Sequence, residues 1–240
     1  MSIPWTAHVI TLFPEVFPGV LGASLIGKAL EEQIWKLHLV NLKDFSQDRY
    51  GHVDAPPCGG GGGMVIRPDV VSCALDSLGD LHDGKGAPIF YLSPRGKLVN
   101  QKLAEDMVAQ PDVVFLCGRY EGVDQRVLNS YGIQEISICD SILAGGEVAA
   151  MAVIEACVRL LPGVLGNPAS AQSDTFSNIL IEHDQYTMPK NWNDQAIPDV
   201  LLTGDHVKAK AFQNLIAKNL TRTRRPDLWA QYVAKSLSET

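Results

Sequence analysis

Short apolar runs alternate with longer helical ones from the start of the chain to about residue 165, and few architectures accept that order. Ala7–Leu12, Leu37–Leu42, Ile89–Leu92, Val113–Cys117 and Gln134–Ile138 read as strands. They are apolar without strict alternation, the pattern of strands covered on both faces by helices. Pro68–Leu81, Asn100–Ala109, Val123–Ser130 and Glu147–Leu161 read as helices. The alternation predicts an α/β layer around a mostly parallel sheet. After Leu161 the texture changes. Pro162-Gly163 ends the last helix, and Gly166–Ser173 is polar and rich in breakers, as a linker is. Beyond it strand signals fade, and two helical runs remain, near Val207–Leu220 and Pro226–Leu237. The expected division is therefore 1–165, a linker at 166–173, and a helical part at 174–240.

Composition narrows the class. With 46% hydrophobic and 20% charged residues the chain has enough apolar surface to order itself, which excludes an intrinsically disordered protein. The most apolar stretch, Ile142–Leu161, is interrupted by Glu147, Glu155 and Arg159, so no membrane span is expected. The N-terminus lacks a basic region followed by an apolar run, so no signal peptide is expected either. Five scattered cysteines (58, 73, 117, 139 and 157) without a C-x-x-C pair argue against a disulfide framework and a zinc site. A cytoplasmic location is the expectation.

The net charge of −7 at first argues against a nucleic-acid partner. Its distribution does not. Residues 181–240 carry a net +1 and residues 1–180 a net −8. Residues 206–226 contain Lys208, Lys210, Lys218, Arg222, Arg224 and Arg225 and no acid. Pro226 disfavours helix in the residue before it, which places Arg222–Pro226 at a helix boundary. This basic run reads either as a solvated helix face or as a local phosphate-binding patch, since steering follows the local field.

Three glycine-bearing turns stand at strand ends: Leu92–Gly96, Cys117–Asp124 and Leu143–Glu147. Open α/β sheets bind ligands at the carboxyl ends of their strands, so the three predict one shared pocket. The run Gly59–Gly63 is either a flexible surface loop or a close approach of backbone to a ligand or chain. It is not a dinucleotide fingerprint, because no helix opens on it, and a phosphate-binding Gly-Lys-Ser/Thr is absent. A Rossmann dehydrogenase is disfavoured accordingly. Arg159 follows Glu155 by four residues, the spacing of a helix salt bridge, and Asp174 stands where a helix N-cap would.

Taken together these segments resemble the bacterial tRNA (guanine-N1)-methyltransferase family, TrmD. The resemblance runs nearly end to end, through Thr11–Phe17, Gly59–Met64, Leu92–Gly96, Cys117–Val127, Glu135–Ala150, Arg159–Asn167, Asp174–Phe176, Val200–His206 and Arg224–Leu228. It implies a trefoil-knotted parallel-sheet (SPOUT) methyltransferase domain with a small helical C-terminal domain, the knot being a rare exception to unknotted topology. It also implies an antiparallel homodimer. S-adenosyl-L-methionine would bind in the knot as methyl donor, magnesium would assist, and tRNA would be methylated on the guanosine immediately 3′ of the anticodon. Neither a membrane nor DNA is an expected partner.

Carried over by position, the donor pocket would use Tyr91, Leu92, Gly118, Tyr120, Glu121, Ile138, Cys139, Asp140, Ser141, Ile142, Leu143, Gly145 and Gly146. Asp174 would be the general base and Arg159 its electrostatic partner. Lys208, Lys210, Arg222, Arg224 and Arg225 would contact tRNA; no residue is assigned to a metal. The chain departs from the family pattern at Arg95 (usually Gln), Cys139 (usually Gly), Ser141 (often Tyr) and Ser173 (usually Glu). None of these removes a group the chemistry requires. Two other readings remain beside it: a knotted methyltransferase for another RNA base, and a non-catalytic RNA-binding module on the same fold.

Overall fold

The computed structural model describes residues 3–81, 86–166 and 179–238. The chain forms two compact units, Met1–Gly166 and Asn167–Thr240. The expected linker lies, beyond Gly166, outside the described residues.

The first unit is built on a five-stranded, all-parallel sheet in the order β2-β1-β6-β5-β7. Its strands are β1 (Trp5–Thr11), β2 (Trp35–Asn41), β5 (Ile89–Leu98), β6 (Asp112–Cys117) and β7 (Gln134–Ser137). A short antiparallel pair, β3 (Asp54–Ala55) and β4 (Val65–Ile66), stands apart from it. The helices are α1 (Ser24–Glu31), α2 (Pro68–Asp76), α3 (Gln101–Val108), α4 (Gln125–Ser130) and α5 (Glu147–Val158). The α/β class with a parallel sheet is thus observed.

Why these strands lack polar alternation is plain in β6. Val113, Phe115 and Cys117 face one core, Val114 and Leu116 the other, and all five are fully buried. The first core adds Trp5, Ala7 and Val9 of β1 and the inner faces of α1, α3 and α5. The second adds Ile10 of β1 and Val70, Val71, Ala74 and Leu75 of α2, with Val127 and Leu128 of α4. Full burial of one such side chain contributes about 1.5–3 kcal/mol. The two core tryptophans also satisfy their indole N–H groups: Trp35 donates to the Ile26 carbonyl at 3.0 Å and Trp5 to that of Met107 at 3.2 Å.

Helix starts follow local chemistry. Asn100 accepts from the Leu103 N–H at the head of α3, Asp124 from the Arg126 N–H at the head of α4, and Pro68 opens α2. One strand departs from expectation. β5 does not end at Leu92; Ser93–Gly96 is an excursion inside it, after which Lys97 and Leu98 pair again with β7. Leu92 and Lys97 both register with Ile136. The excursion can lie on β7 because position 96 is glycine: a Cβ there would fall within 3.0 Å of the Ile136 backbone.

The second unit contains a hairpin, β8 (Asn191–Trp192) with β9 (Gln195–Ala196), and two helices, α6 (His206–Arg224) and α7 (Pro226–Ser238). The two helical runs are where the sequence places them, and the hairpin is an addition. Asp205 caps α6 by accepting from the Lys208 N–H at 3.1 Å. Thr221, fully buried, accepts from the Ile181 N–H at 3.0 Å and so ties the preceding segment to α6. Among the described residues no helix is long and apolar enough to cross a membrane, and all five cysteines are free.

Candidate active site

Strands β6, β5 and β7 are neighbours and parallel, so their carboxyl ends open on one edge of the sheet. A cavity of about 420 Å³ lies there, within the usual size of a small-molecule site. It is lined by the β5 excursion, by Gly118–Val123 after β6, and by Ile136–Cys139 and Ser141–Gly146 around and after β7. The three glycine-bearing turns do share one pocket, although the first lies within a strand rather than after it.

The glycines permit the turns to close on one another. A Cβ at Gly118 would lie 2.7 Å from the Tyr91 hydroxyl, and one at Gly146 would lie 2.9 Å from the Cys117 Cα. The Gly146 N–H donates to the Gly118 carbonyl at 2.9 Å, stitching the last turn to the end of β6. Tyr120, exposed at the rim, adopts a left-handed backbone (φ 56°), a strained choice for a bulky residue and one that clusters at functional sites. Burial, and after it the Glu135 carboxylate, push the Tyr91 hydroxyl above its ordinary pKa.

Of the residues expected at a donor pocket, Tyr91, Leu92, Gly118, Tyr120, Glu121, Ile138, Cys139, Ser141, Ile142, Leu143, Gly145 and Gly146 line this cavity. Asp140 is exposed in the same turn and is not part of the lining. At Cys139, where the resemblance leads one to expect glycine, the turn is held by the Ser137 hydroxyl, which donates to the Cys139 carbonyl at 2.8 Å. The five-glycine run divides between its two readings. Gly59, Gly60 and Gly62 have open space around them, whereas a Cβ at Gly63 (φ 86°) would collide with the Glu121 carboxylate. The Glu121 N–H donates to the Met64 carbonyl at 2.9 Å, so the end of the run is fastened to the cavity rim.

Sequence reading missed a buried polar group behind the cavity. Glu147, at the first turn of α5, is 2% exposed. Its Oε1 accepts from the Thr11 hydroxyl at 2.7 Å and from Arg119 Nε at 3.2 Å. Its Oε2 lies 2.9 Å from the same Nε but off the N–H axis, so it has the charge contact without a hydrogen bond. Arg119 also donates to the Ala144 carbonyl at 3.3 Å and lies over the Phe13 ring at 4.3 Å. The available signal was position: a carboxylate inside the most apolar stretch of the chain requires a partner. The same carboxylate and burial raise the neighbouring Cys117 thiol well above its usual pKa, burial being the larger cause.

Arg159 ends α5, half-buried, and its N–H donates to the Glu155 carbonyl at 3.1 Å. Asp174 and Ser173 lie outside the described residues. In the second unit Lys208, Lys210, Arg222 and Arg224 are exposed, but they do not make one face. Lys208 and Arg222 are four turns apart on one side of α6, Lys210 and Arg224 four turns apart on another. Arg225, between the helices, donates to Asp227 through Nε at 2.9 Å and Nη2 at 2.5 Å. Among the described residues no group of three or more His, Cys, Asp or Glu could hold a metal ion.

Residues 6–231 match the family model described as tRNA (Guanine-1)-methyltransferase TrmD. Three bacterial relatives carry the name tRNA (guanine-N(1)-)-methyltransferase. That of Jannaschia sp. is 51% identical over 233 residues, covering 96% of this chain and 94% of its own. That of Ruegeria pomeroyi is 49% identical over 230 residues, with the same shares. That of Caulobacter vibrioides is 48% identical over 233 residues, covering 97% and 94%.

Proposed function

The chain belongs to the tRNA (guanine-1)-methyltransferase TrmD family, and from that membership we propose that it methylates the guanosine immediately 3′ of the anticodon. Its activity is that of a tRNA guanine-N1 methyltransferase, with S-adenosylmethionine as donor. The observation that supports this reading best is the single cavity formed by three glycine turns at the carboxyl ends of β5, β6 and β7. Its apolar wall of Leu92, Ile138, Ile142 and Leu143 suits an adenosyl group, and Gly118, Gly145 and Gly146, without side chains, leave room for ribose and amino acid to approach the turns.

The donor's methyl is already activated, so positioning supplies much of the rate. What remains is the proton on guanine N1. The Asp174 carboxylate takes it as general base, help worth roughly 10²–10⁴-fold. Loss of that proton moves negative charge onto O6, where the Arg159 guanidinium offsets it. The N1 edge becomes reachable because the target base is unstacked from a loop rather than held in a duplex. For the magnesium that the family implies, the described residues hold no group of three or more His, Cys, Asp or Glu.

Lys208, Lys210, Arg222, Arg224 and Arg225 grip the tRNA backbone by charge. A homodimer is supported by apolar side chains left exposed at the mouth of the cavity and the head of α5: Ile142 is 82% and Val148 59% exposed. The family's trefoil knot belongs to the first unit, and the enzyme works in the cytoplasm.

The deciding experiment is methyl transfer to tRNA with and without guanosine 3′ of the anticodon. Transfer is expected only to the guanosine-bearing tRNA, as N1-methylguanosine. Methylation of another nucleotide would replace the reading with that of a different RNA methyltransferase. In the same assay Asp174→Asn abolishes transfer while S-adenosylmethionine still binds; normal turnover would reject Asp174 as the base.

A further inference from the structure

The β5 excursion forms one wall of the cavity, and something must keep four residues, Ser93–Gly96, from collapsing or swinging out. At its end, Gly96 lies directly on the β7 backbone. At its centre, Arg95 makes a three-way junction. Its Nε and Nη2 donate to the two oxygens of Glu135 at 3.0–3.2 Å, and Nη2 also donates to the Gln125 side-chain carbonyl at 3.1 Å. Glu135 belongs to β7, opposite Tyr91 in register, and Gln125 is the first residue of α4. One guanidinium therefore joins the excursion to β7 and to the helix that follows the Gly118–Val123 turn. Only a planar, forked cation can hold a carboxylate side-on and an amide oxygen together. The junction lies at the rim, with the Arg95 side chain 63% and the Glu135 side chain 23% exposed, so it bears on wall shape more than on global stability.

We propose that Arg95 is a positioning residue for the methyl donor, holding the β5 excursion in the shape that receives it through Glu135 and Gln125. The inference rests on the assignment of this cavity to S-adenosylmethionine. Arg95 touches no reacting atom. Its loss loosens the wall against which the donor is ordered, so donor affinity falls while the transfer step, once the donor is seated, keeps its rate.

The test compares wild type, Arg95→Gln, Arg95→Lys, Glu135→Gln and the Arg95→Gln/Glu135→Gln pair. The readouts are KM for S-adenosylmethionine, KM for tRNA, kcat, and equilibrium binding of S-adenosylmethionine without tRNA. Arg95→Gln is expected to raise the donor KM and Kd about five-fold, the scale of one exposed but well-formed ion pair. kcat and the tRNA KM should stay within about two-fold. Arg95→Lys, which can keep Glu135 but not both partners, should fall between. The double variant should be no worse than Arg95→Gln alone, because both changes open the same clamp. Unchanged donor KM and Kd in Arg95→Gln, additive losses in the pair, or a fall in kcat that tracks the unfolding midpoint would each overturn the proposal. Failure of the wild type itself to bind S-adenosylmethionine would instead overturn the assignment of the cavity, and the two outcomes are read from different proteins.

Discussion

Two arginines show how differently the units use charge. Arg119, in the cavity wall, faces a carboxylate that is 2% exposed, a threonine hydroxyl shares that carboxylate, and an aromatic ring lies against the guanidinium. Arg225, between α6 and α7, makes an ion pair of similar length with Asp227, yet both side chains stand about half in water. The first pair is a fixed part of the architecture, because a buried charge left alone is expensive. The second can exchange its partner for a phosphate at little cost, because an exposed pair is worth at most about 1 kcal/mol. At the head of α5 in the first unit, this charge is buried and paired. Between α6 and α7 of the second unit, charge stands on flexible, solvated stems.

The strongest challenge to this contrast is Glu147→Gln. It leaves the Arg119 guanidinium without its counter-charge and sets an amide beside it. Breaking a buried pair from one side costs about 3–5 kcal/mol; Arg119 is 24% exposed, which brings the expectation to about 3. Denaturant unfolding followed through Trp5 and Trp35, with Trp192 and Trp229 replaced by Phe, reads the first unit alone. Removing both partners, with Arg119→Met added, should cost less than Glu147→Gln by itself. A loss below about 0.5 kcal/mol for Glu147→Gln would show that the pair is no more structural than Arg225–Asp227.

A somewhat smaller effect is expected from Gly146→Ala. Its new methyl would press on the Cys117 Cα and the Gly118 N, and backbone cannot turn aside as a side chain can. Overpacking of this kind costs about 1–3 kcal/mol. Because the strain falls where the last turn meets β6, donor binding should weaken at least ten-fold while tRNA binding holds. Equilibrium binding of each substrate separates the two. Equal loss of both would mean that the cavity and the tRNA surface are not independent regions.

Much of this division was legible in the sequence, and what was not has physical reasons. The strands were readable because burial on both faces selects unbroken apolar runs such as Val113–Cys117. The glycine turns were readable because glycine is costly unless backbone must approach backbone. The second half of β5 was not, since Ser93-Pro94 is a stop signal and only the partner strand shows that pairing resumes at Lys97. α1 escaped as well. It is eight residues long and contains Gly27, which is needed because the Gly22 backbone lies against it. Glu147 entered the sequence reading only as a charge that interrupts the apolar stretch Ile142–Leu161. Its partners are 28 and 136 residues away in sequence, and no local pattern encodes that. For the same reason the basic run at 206–226 could be read as a solvated face or as a local patch, but not as what α6 makes of it: cations spread over two sides, with Asp227 paired to Arg225.

That last point sharpens the smallest expected effect. Neutralising Arg224 and Arg225 together should weaken tRNA binding several-fold and flatten its dependence on salt, by about 0.7–0.9 in logarithmic slope for each phosphate no longer neutralised. The two residues should not contribute equally. Arg224 is exposed in the last turn of α6, whereas Arg225 must leave Asp227 before it can serve a phosphate. Arg224→Gln should therefore cost more affinity than Arg225→Gln, and Asp227→Asn should tighten binding slightly by removing a carboxylate from beside Arg225. Kd measured between about 50 and 200 mM salt orders the three variants, the range over which phosphate binding is most visible. Unfolding should be nearly unaffected, since the pair is exposed. If Arg225→Gln lowered stability as Glu147→Gln does, the second unit would be using charge to hold itself together rather than to bind, and the contrast between the units would fail there.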